Sequence, residues 1–152
     1  MKEKPDSHFT VEAEAVFRRF AGRYDFSYEI EASLAMELCW LFPEQRNLST
    51  EIILGLQNGD ELNFGVDGFW SYFFPFDVVV GDFEKLLDTW VLGNARVAMV
   101  DEAAGMLQFK ENGRWVTIYR ANLIVPFWRR PKRIIQNCPE SDVRCSAEHP
   151  FA

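Results

Sequence analysis

Hydrophobic residues recur every three or four positions early in the chain, which is the spacing of one face of an α-helix. The apolar stripe consists of Ala13, Val16, Phe17 and Phe20. Thr10 or Ser7 can cap the start of this helix through a side-chain oxygen, and Gly22 can end it. We therefore predict a first helix between one of these caps and Gly22.

A second stripe with helical spacing lies in the middle of the chain. It consists of Phe83, Leu86, Leu87, Trp90 and Val91. Asp82 stands directly before the stripe, where an N-cap belongs, and Gly93 stands two residues after it. We therefore predict a second helix that begins at Asp82 and is terminated by Gly93.

Between Tyr24 and Phe42 every second residue is apolar or aromatic, and most of the residues between them are polar. A period of two is typical of a β-strand, and a run this long predicts one long strand that bends midway. A helix over residues 32–41 is the alternative, because Glu, Ala, Leu and Met favour helices. We prefer the strand, since a helix would place apolar side chains on every face, and we leave the alternative open.

Two Asn-Gly pairs predict β-hairpins, because Asn and Gly accept the positive φ angles of a tight turn. Counting outward from Asn58-Gly59 places Ile53 opposite Phe64 and Gly55 opposite Leu62. The first strand of this hairpin is apolar on both faces, which predicts a central place in its sheet.

The second hairpin turns at Asn112-Gly113 and places Phe109 opposite Val116 on a core face. Lys110 then faces Trp115 and can form a cation–π pair with it. A short strand over residues 95–100 precedes this hairpin, and Ala121 to Phe127 can extend the sheet.

These elements follow one another in the order α-βββ-α-βββ, which predicts the α+β class. We expect a single antiparallel, curved sheet of about six strands with two helices on one face. Residues 1–8 read as a polar arm, residues 9–128 as one α+β domain, and residues 129–152 as a basic segment and flexible tail.

The charge of the chain limits the classes of partner. Its formal net charge is −7, with 20 acidic and 9 basic side chains in residues 1–113 but 3 and 7 in residues 114–152. An acidic protein repels nucleic-acid phosphates, because such binding depends on cations that displace counterions. We therefore predict that nucleic acid is not the main partner, and that a basic protein or a second copy of the chain is favoured.

Three features predict a cytoplasmic protein that does not insert into a membrane. The N-terminus is charged and lacks the apolar region of a secretory signal. No stretch approaches the roughly 20 apolar residues that span a bilayer. The three cysteines, Cys39, Cys138 and Cys145, are an odd number without a C-x-x-C motif, which argues against a disulfide framework and predicts reduced thiols.

No motif in the chain predicts catalysis. His8 and His149 lie near the termini, and Cys39 lies in an apolar run, where a small core residue is the simpler interpretation. The glycine spacings of a P-loop and of a dinucleotide-binding loop are both missing. We therefore predict no catalytic residues, no cofactor and no metal site.

The aromatic run over residues 69–76 is the strongest functional candidate, because six of its eight residues are aromatic. A small domain cannot easily bury so many rings, and Trp and Tyr are enriched at interfaces. We predict a non-catalytic, acidic accessory protein that binds a protein partner through this patch. The predicted contact residues are Phe69, Trp70, Tyr72, Phe74 and, from a later strand, Arg120.

Two alternatives stay open. The curved sheet can hold a hydrophobic cavity that binds a small molecule or substrate, with Trp70, Tyr72 and Arg120 near its mouth. A homodimer can instead cover the spare aromatic rings. The basic cluster at residues 128–133 can bind phosphates, serve as a sorting signal or dock on the acidic face of another copy.

Overall fold

The computed structural model describes residues 9–122 and 130–140. This part of the chain forms two helices and nine strands. The helices are α1 (Thr10–Tyr24) and α2 (Phe76–Val91). The strands between them are β1 (Glu29–Ile30), β2 (Leu38–Phe42), β3 (Ile52–Gln57), β4 (Glu61–Val66) and β5 (Phe69–Phe73). The strands after α2 are β6 (Ala95–Met99), β7 (Gly105–Glu111), β8 (Arg114–Ala121) and β9 (Arg133–Gln136).

The α+β class is confirmed, but the strands form two antiparallel sheets and not the predicted single sheet of six. The first sheet has the order β1-β2-β3-β4-β5, and the second has the order β8-β7-β6-β9. The backbone ladder stops where the sheets meet, because the backbone N–H of Tyr72 in β5 donates to the side-chain hydroxyl of Tyr119 in β8 at 3.1 Å. At the β5 edge, the Tyr119 side chain therefore accepts a hydrogen bond that a neighbouring strand would otherwise accept.

Both helices pack against one face of the five-stranded sheet, which we call the inner face. From α1, Phe17 contacts Trp40 of β2 edge-on with 5.7 Å between ring centroids. From α2, Trp90 contacts Phe64 of β4 in the same manner at 5.2 Å. All four rings are buried, so aromatic pairs hold the helices on the sheet.

The first hairpin has a register one residue away from the predicted one. Leu54, and not Ile53, lies opposite Phe64, and the loop contains residues 58–60. Asn58 and Gly59 have the expected positive φ angles of 52° and 81°, but Asp60 also belongs to the loop. The predicted central place of β3 is confirmed, because it pairs with both β2 and β4.

The second hairpin has the predicted register around its turn. Phe109 lies opposite Val116, and Lys110 lies opposite Trp115. The cation over the indole ring, however, is the guanidinium of Arg96 in the neighbouring strand β6, at 4.2 Å from the ring centroid. A guanidinium is planar and can lie flat on the indole, which suits it to this contact.

The long alternating segment does not form one strand. Only β1 and β2 are strands within residues 24–42, and residues 31–37 between them are neither strand nor helix. The apolar side chain of Leu34 in this connection is fully exposed. Alternation describes which side chains suit a sheet face, but a strand also requires a neighbour that accepts its hydrogen bonds.

The helices extend beyond their predicted ends. Gly22 lies inside α1, which ends at Asp25, a residue with a left-handed φ of 55°. Pro75, and not Asp82, precedes the first residue of α2, because Phe76 is buried and its ring stacks on Phe9 at 4.6 Å. The predicted termination at Gly93 is confirmed by its φ of 78°.

Part of the segment that we predicted as a loose tail is a strand. β9 pairs with β6, and its Ile135 is buried in the core. Of the predicted extension from Ala121 to Phe127, Ala121 is the last residue of β8. The rest of that extension lies beyond the described residues apart from Asn122, as do the polar arm 1–8 and Arg129 of the basic cluster.

A polar cluster also joins the two helices. The Tyr24 hydroxyl donates a hydrogen bond of 2.6 Å to a carboxylate oxygen of Asp88, and Arg23 forms an ion pair of 2.5 Å with the same oxygen. Burial of the phenol, and next the hydrogen bond to Asp88, raises the pKa of Tyr24 to about 12. The neutral phenol is favoured because a phenolate here would lose water and face a carboxylate.

The hydrogen bond between the neutral Tyr24 phenol and Asp88 should stabilise the fold. We expect this stabilisation to be fully present below the ordinary tyrosine pKa of about 10 and to be lost as the pH rises toward about 12. The direction follows because the folded state holds the phenol proton more tightly than the unfolded chain does. The free energy of unfolding, measured across this interval, should fall more steeply for the wild type than for Tyr24→Phe. Phenolate absorbance showing that all four tyrosines ionise near pH 10 in the folded protein would contradict the assignment.

Candidate functional site

Strand β5 carries most of the aromatic run and directs alternate side chains to opposite faces of the five-stranded sheet. Phe69 and Ser71 are buried on the inner face. Trp70 and Tyr72 lie on the opposite face, which we call the outer face, where Trp70 is half-buried and Tyr72 is 41% exposed. Phe74 follows the strand and is 58% exposed. The run is thus divided between the core and the surface.

Two of the five predicted contact residues do not belong to this surface. Phe69 is 1% exposed and its ring packs edge-on against Tyr119 with 6.1 Å between centroids, so it is a core residue. Arg120 is exposed but lies in β8 of the other sheet, where it pairs with Met106 of β7. Its neighbour Tyr119 makes the hydrogen bond to β5, and no described contact joins Arg120 to Trp70 or Tyr72.

The outer face is left uncovered by both helices, since these pack on the inner face. Two rows of cross-strand neighbours form its centre. One row contains Leu41, Ile53, Gly65 and Trp70, and the other contains Cys39, Gly55, Asn63 and Tyr72. The Trp70 ring covers Gly65, because a Cβ atom at this glycine would lie 2.5 Å from it. The two glycines therefore let other side chains lie directly against the backbone of the sheet, Trp70 at Gly65 and Met36 at Gly55.

The segment that builds this sheet is strongly acidic. Residues 25–73 contain nine Asp or Glu residues and a single basic residue, Arg46. Arg46 pairs with Glu140, and Asp67 pairs with Arg133. Within the described ranges, five other acidic residues of this segment are exposed and form no ion pair; these are Asp25, Glu29, Glu31, Glu44 and Glu51. The sheet thus has an apolar, aromatic centre and largely uncompensated negative charge.

The two cysteines in the described part of the chain, Cys39 and Cys138, do not form a reactive centre. Cys39 is half-buried on the outer face, and burial together with the nearby Glu31 carboxylate raises the pKa of its thiol. A thiol held in its protonated form is a poor nucleophile. Cys138 is disulfide-bonded, contrary to our expectation that the thiols are reduced.

Residues 9–122 and 130–140 contain no group of three or more His, Cys, Asp or Glu side chains that could hold a metal ion. No helix in these ranges is long and apolar enough to cross a membrane. The polar clusters that are present instead join elements of the fold, as the Arg96 side chain does when it donates to Gln108 at 2.8 Å.

The cavities on the described surface include three of different character. One of about 170 Å³ lies beside Trp70 and is lined also by Glu51 and Ile53. Another, of about 280 Å³, lies between α2 and the edges of both sheets, with mostly apolar walls and with Asp82 and Lys85 among its lining residues. A third, of about 480 Å³, is lined mainly by charged residues around the Asp67–Arg133 pair. None of the three is lined by Tyr72 or Arg120, which the cavity alternative placed at one mouth.

Sequence reasoning missed three residues that shape the outer face. Met36 lies over Gly55, Asn63 lies buried beside it, and Tyr119 fixes the edge of β5. One signal was available, because a glycine inside a central strand such as β3 often marks a close approach of another group. The identity of that group depends on the path of residues 31–37, which the alternating pattern predicted as part of a strand.

Comparison with known proteins does not assign the chain to a family. No protein-family model, curated protein or solved structure matches it. Its function has to be inferred from its own geometry and charge.

Proposed function

We propose that the protein is a non-catalytic accessory protein that binds a basic protein partner through the outer face of its five-stranded sheet. One observation carries the proposal: Tyr72 and Trp70 present accessible aromatic surface on a sheet whose segment has nine carboxylates and one basic residue. A solvated sheet face needs neither large aromatic rings nor a charge of one sign. A protein contact uses both.

The two features would act at different stages of binding. Uncompensated carboxylates attract a cationic partner over a distance of roughly 8 Å at physiological salt and accelerate encounter. The aromatic rings would supply most of the affinity, because buried Trp and Tyr dominate the energetics of protein interfaces. Phe74 is exposed next to these rings in sequence and extends the proposed contact.

We expect Tyr72→Ala to lower the affinity for the partner about tenfold, which corresponds to about 1.4 kcal/mol. The reason is that Tyr72 loses its ring from the proposed contact while the core stays filled. A native pull-down with mass spectrometry identifies candidate basic proteins. Titration calorimetry with each purified candidate then compares the wild type, Tyr72→Ala and Trp70→Ala, at low and at high salt.

Tyr28→Ala is the matched control. Tyr28 is 38% exposed, close to the value for Tyr72, but its ring stacks on Trp40 at 4.3 Å, at the inner face. The proposal requires that Tyr28→Ala binds the partner like the wild type once both are shown to be folded. Equal losses from Tyr28→Ala and Tyr72→Ala, or no loss from Tyr72→Ala, would refute it, as would a purified chain that associates only with itself.

A small-molecule site is the second candidate, favoured by the cavity of about 280 Å³ between α2 and the edges of the two sheets. Its apolar walls include Phe73, Phe109 and Ile118, with Lys85 available for an anionic group. The volume falls just below the roughly 300–1,000 Å³ typical of ligand pockets, so we place this candidate second. A cytoplasmic location and the homodimer remain predictions from the sequence.

A further inference from the structure

Two acceptor atoms near the outer face are shielded from solvent and accept no hydrogen bond from the described residues. They are Oδ1 of Asn63 and Oε2 of Glu37. A buried acceptor without a donor is costly, and native structures contain few of them. Both atoms can only accept, so a group that satisfies them must donate.

Asn63 is completely buried, and only its amide nitrogen has a partner, the backbone oxygen of Ser71 at 3.2 Å. Its Oδ1 atom points across the sheet toward β3, because it would lie 3.0 Å from a Cβ atom placed on Gly55. The missing side chain of Gly55 thus leaves a notch between Cys39 and Asn63, which we call the Gly55 notch. The notch is filled from above by the methyl end of Met36.

Glu37 lies at the edge of the Gly55 notch. Its backbone N–H donates to the oxygen of Leu56, the residue after Gly55, at 2.9 Å. One carboxylate oxygen accepts the N–H of Gly59 at 3.2 Å, and the other is the acceptor without a donor. The notch therefore has an amide oxygen at its side and a flexible apolar residue as its cover, and the Glu37 carboxylate lies farther along the face, at the turn that contains Gly59.

We infer that the Gly55 notch receives an arginine side chain of the partner, which displaces Met36, donates to Asn63 Oδ1 and directs its charge toward the Glu37 carboxylate. This inference rests on the proposed function and specifies the chemistry of the partner. Met is unbranched and rotates easily, so it is an occupant that can leave. Arginine fits better than lysine, because a guanidinium has five donors and stacks on aromatic rings such as that of Tyr72, the cross-strand neighbour of Asn63.

The test uses a capped glycine-serine peptide with one arginine, and the same peptide with citrulline, which keeps the shape but removes the charge. Nuclear magnetic resonance follows the side-chain amide of Asn63 during titration. We expect the arginine peptide to shift this signal and the citrulline peptide to bind about tenfold more weakly, the usual value of a charged hydrogen bond. Equal binding of the two peptides, or shifts that leave Asn63 unaffected, would overturn the inference.

Met36→Arg supplies the proposed guanidinium from within the chain, and Met36→Leu is its apolar control. We expect Met36→Arg to raise the melting temperature above that of Met36→Leu and to weaken binding of the arginine peptide about tenfold. A second pair compares Glu37→Gln with Glu29→Gln, which remove the same charge from the same sheet. Only Glu37→Gln should weaken the peptide complex markedly, and equal effects of the two would count against the notch.

Failure of this inference can be separated from failure of the proposed function. If Tyr72→Ala lowers the affinity for a purified basic partner while the Met36 and Glu37 variants bind that partner normally, the outer face binds protein but the notch does not bind arginine. If the arginine peptide occupies the notch while no basic partner depends on Tyr72, the notch stands and the proposed function fails.

Discussion

Replacing Phe64 with alanine is expected to lower the free energy of unfolding by about 3–5 kcal/mol, the largest effect of any single substitution considered for this protein. Phe64 is fully buried on the inner face of β4, and its ring lies edge-on to Trp90 of α2. The truncation removes the contact through which α2 holds the middle of the sheet and leaves a cavity. Urea unfolding should show a lower midpoint with an unchanged slope.

Phe74→Ala deletes the same atoms from an exposed position and is the matched control. Its side chain is 58% exposed, so we expect a change in unfolding free energy of no more than about 0.5–1 kcal/mol. If the two variants lose similar stability, then Phe64 does not occupy the core position described for it. A loss for Phe74→Ala near that of Phe64→Ala would also mean that Phe74 is unavailable to a partner.

The turns show which parts of the fold the sequence could predict. Asn-Gly pairs identified two of the hairpins, because few other dipeptides accept positive φ angles without strain. The register was correct for the second hairpin only as far as Gln108, because a bulge there sets Leu107 opposite Tyr119 and not Ile118, and it was one residue out for the first, where Asp60 joins the loop. In β3 the residues on both sides of Gly55 are apolar, so a slip by one residue leaves hydrophobic side chains on either face and the pattern cannot exclude it.

Strand pairing is less visible in a sequence than alternation is. Every second residue from Tyr24 to Phe42 is apolar, yet only β1 and β2 pair within the sheet. The opposite error was made for β9, which was predicted as tail. A four-residue strand in a basic, proline-containing segment has too little pattern to be recognised. Both errors concern contacts between distant residues, and these also decided that the strands divide into two sheets.

The candidate site was predicted in part for the same reason. The aromatic run predicted that Trp70 and Tyr72 lie together on one face, and the alternation of β5 places them there. Whether Phe69 on the opposite face meets solvent or a neighbour depended on β8, whose Tyr119 covers it. The Gly55 notch could not be predicted, since it requires that Met36 from an irregular connection lies above a glycine two strands away from Tyr72.

Asn137 offers the second large effect, because one buried amide joins three segments that are distant in sequence. Its Oδ1 accepts the backbone N–H of Ser49 at 2.8 Å, and its Nδ2 donates to the backbone oxygens of Asn47 at 2.9 Å and Val91 at 2.8 Å. Asn137→Ala should therefore cost about 3 kcal/mol, since it leaves buried backbone groups unpaired at the end of α2 and in the loop before β3.

Asn137→Asp separates the stabilisation by the hydrogen bond that Asn137 accepts from the Ser49 backbone from the stabilisation by the two that it donates. It keeps the acceptor for Ser49 but turns a carboxylate oxygen toward the carbonyls of Asn47 and Val91, so near neutral pH it should be about as unstable as Asn137→Ala. Ser49→Ala removes only the hydroxyl that donates to Asn137 at 3.2 Å and accepts the N–H of Cys138, so a loss of about 1 kcal/mol is expected. Chemical unfolding of the three variants measures these values. If Asn137→Asp is as stable as the wild type, the two hydrogen bonds that Asn137 donates do not stabilise the fold. The pairing of β9 with β6 would then hold this segment without them.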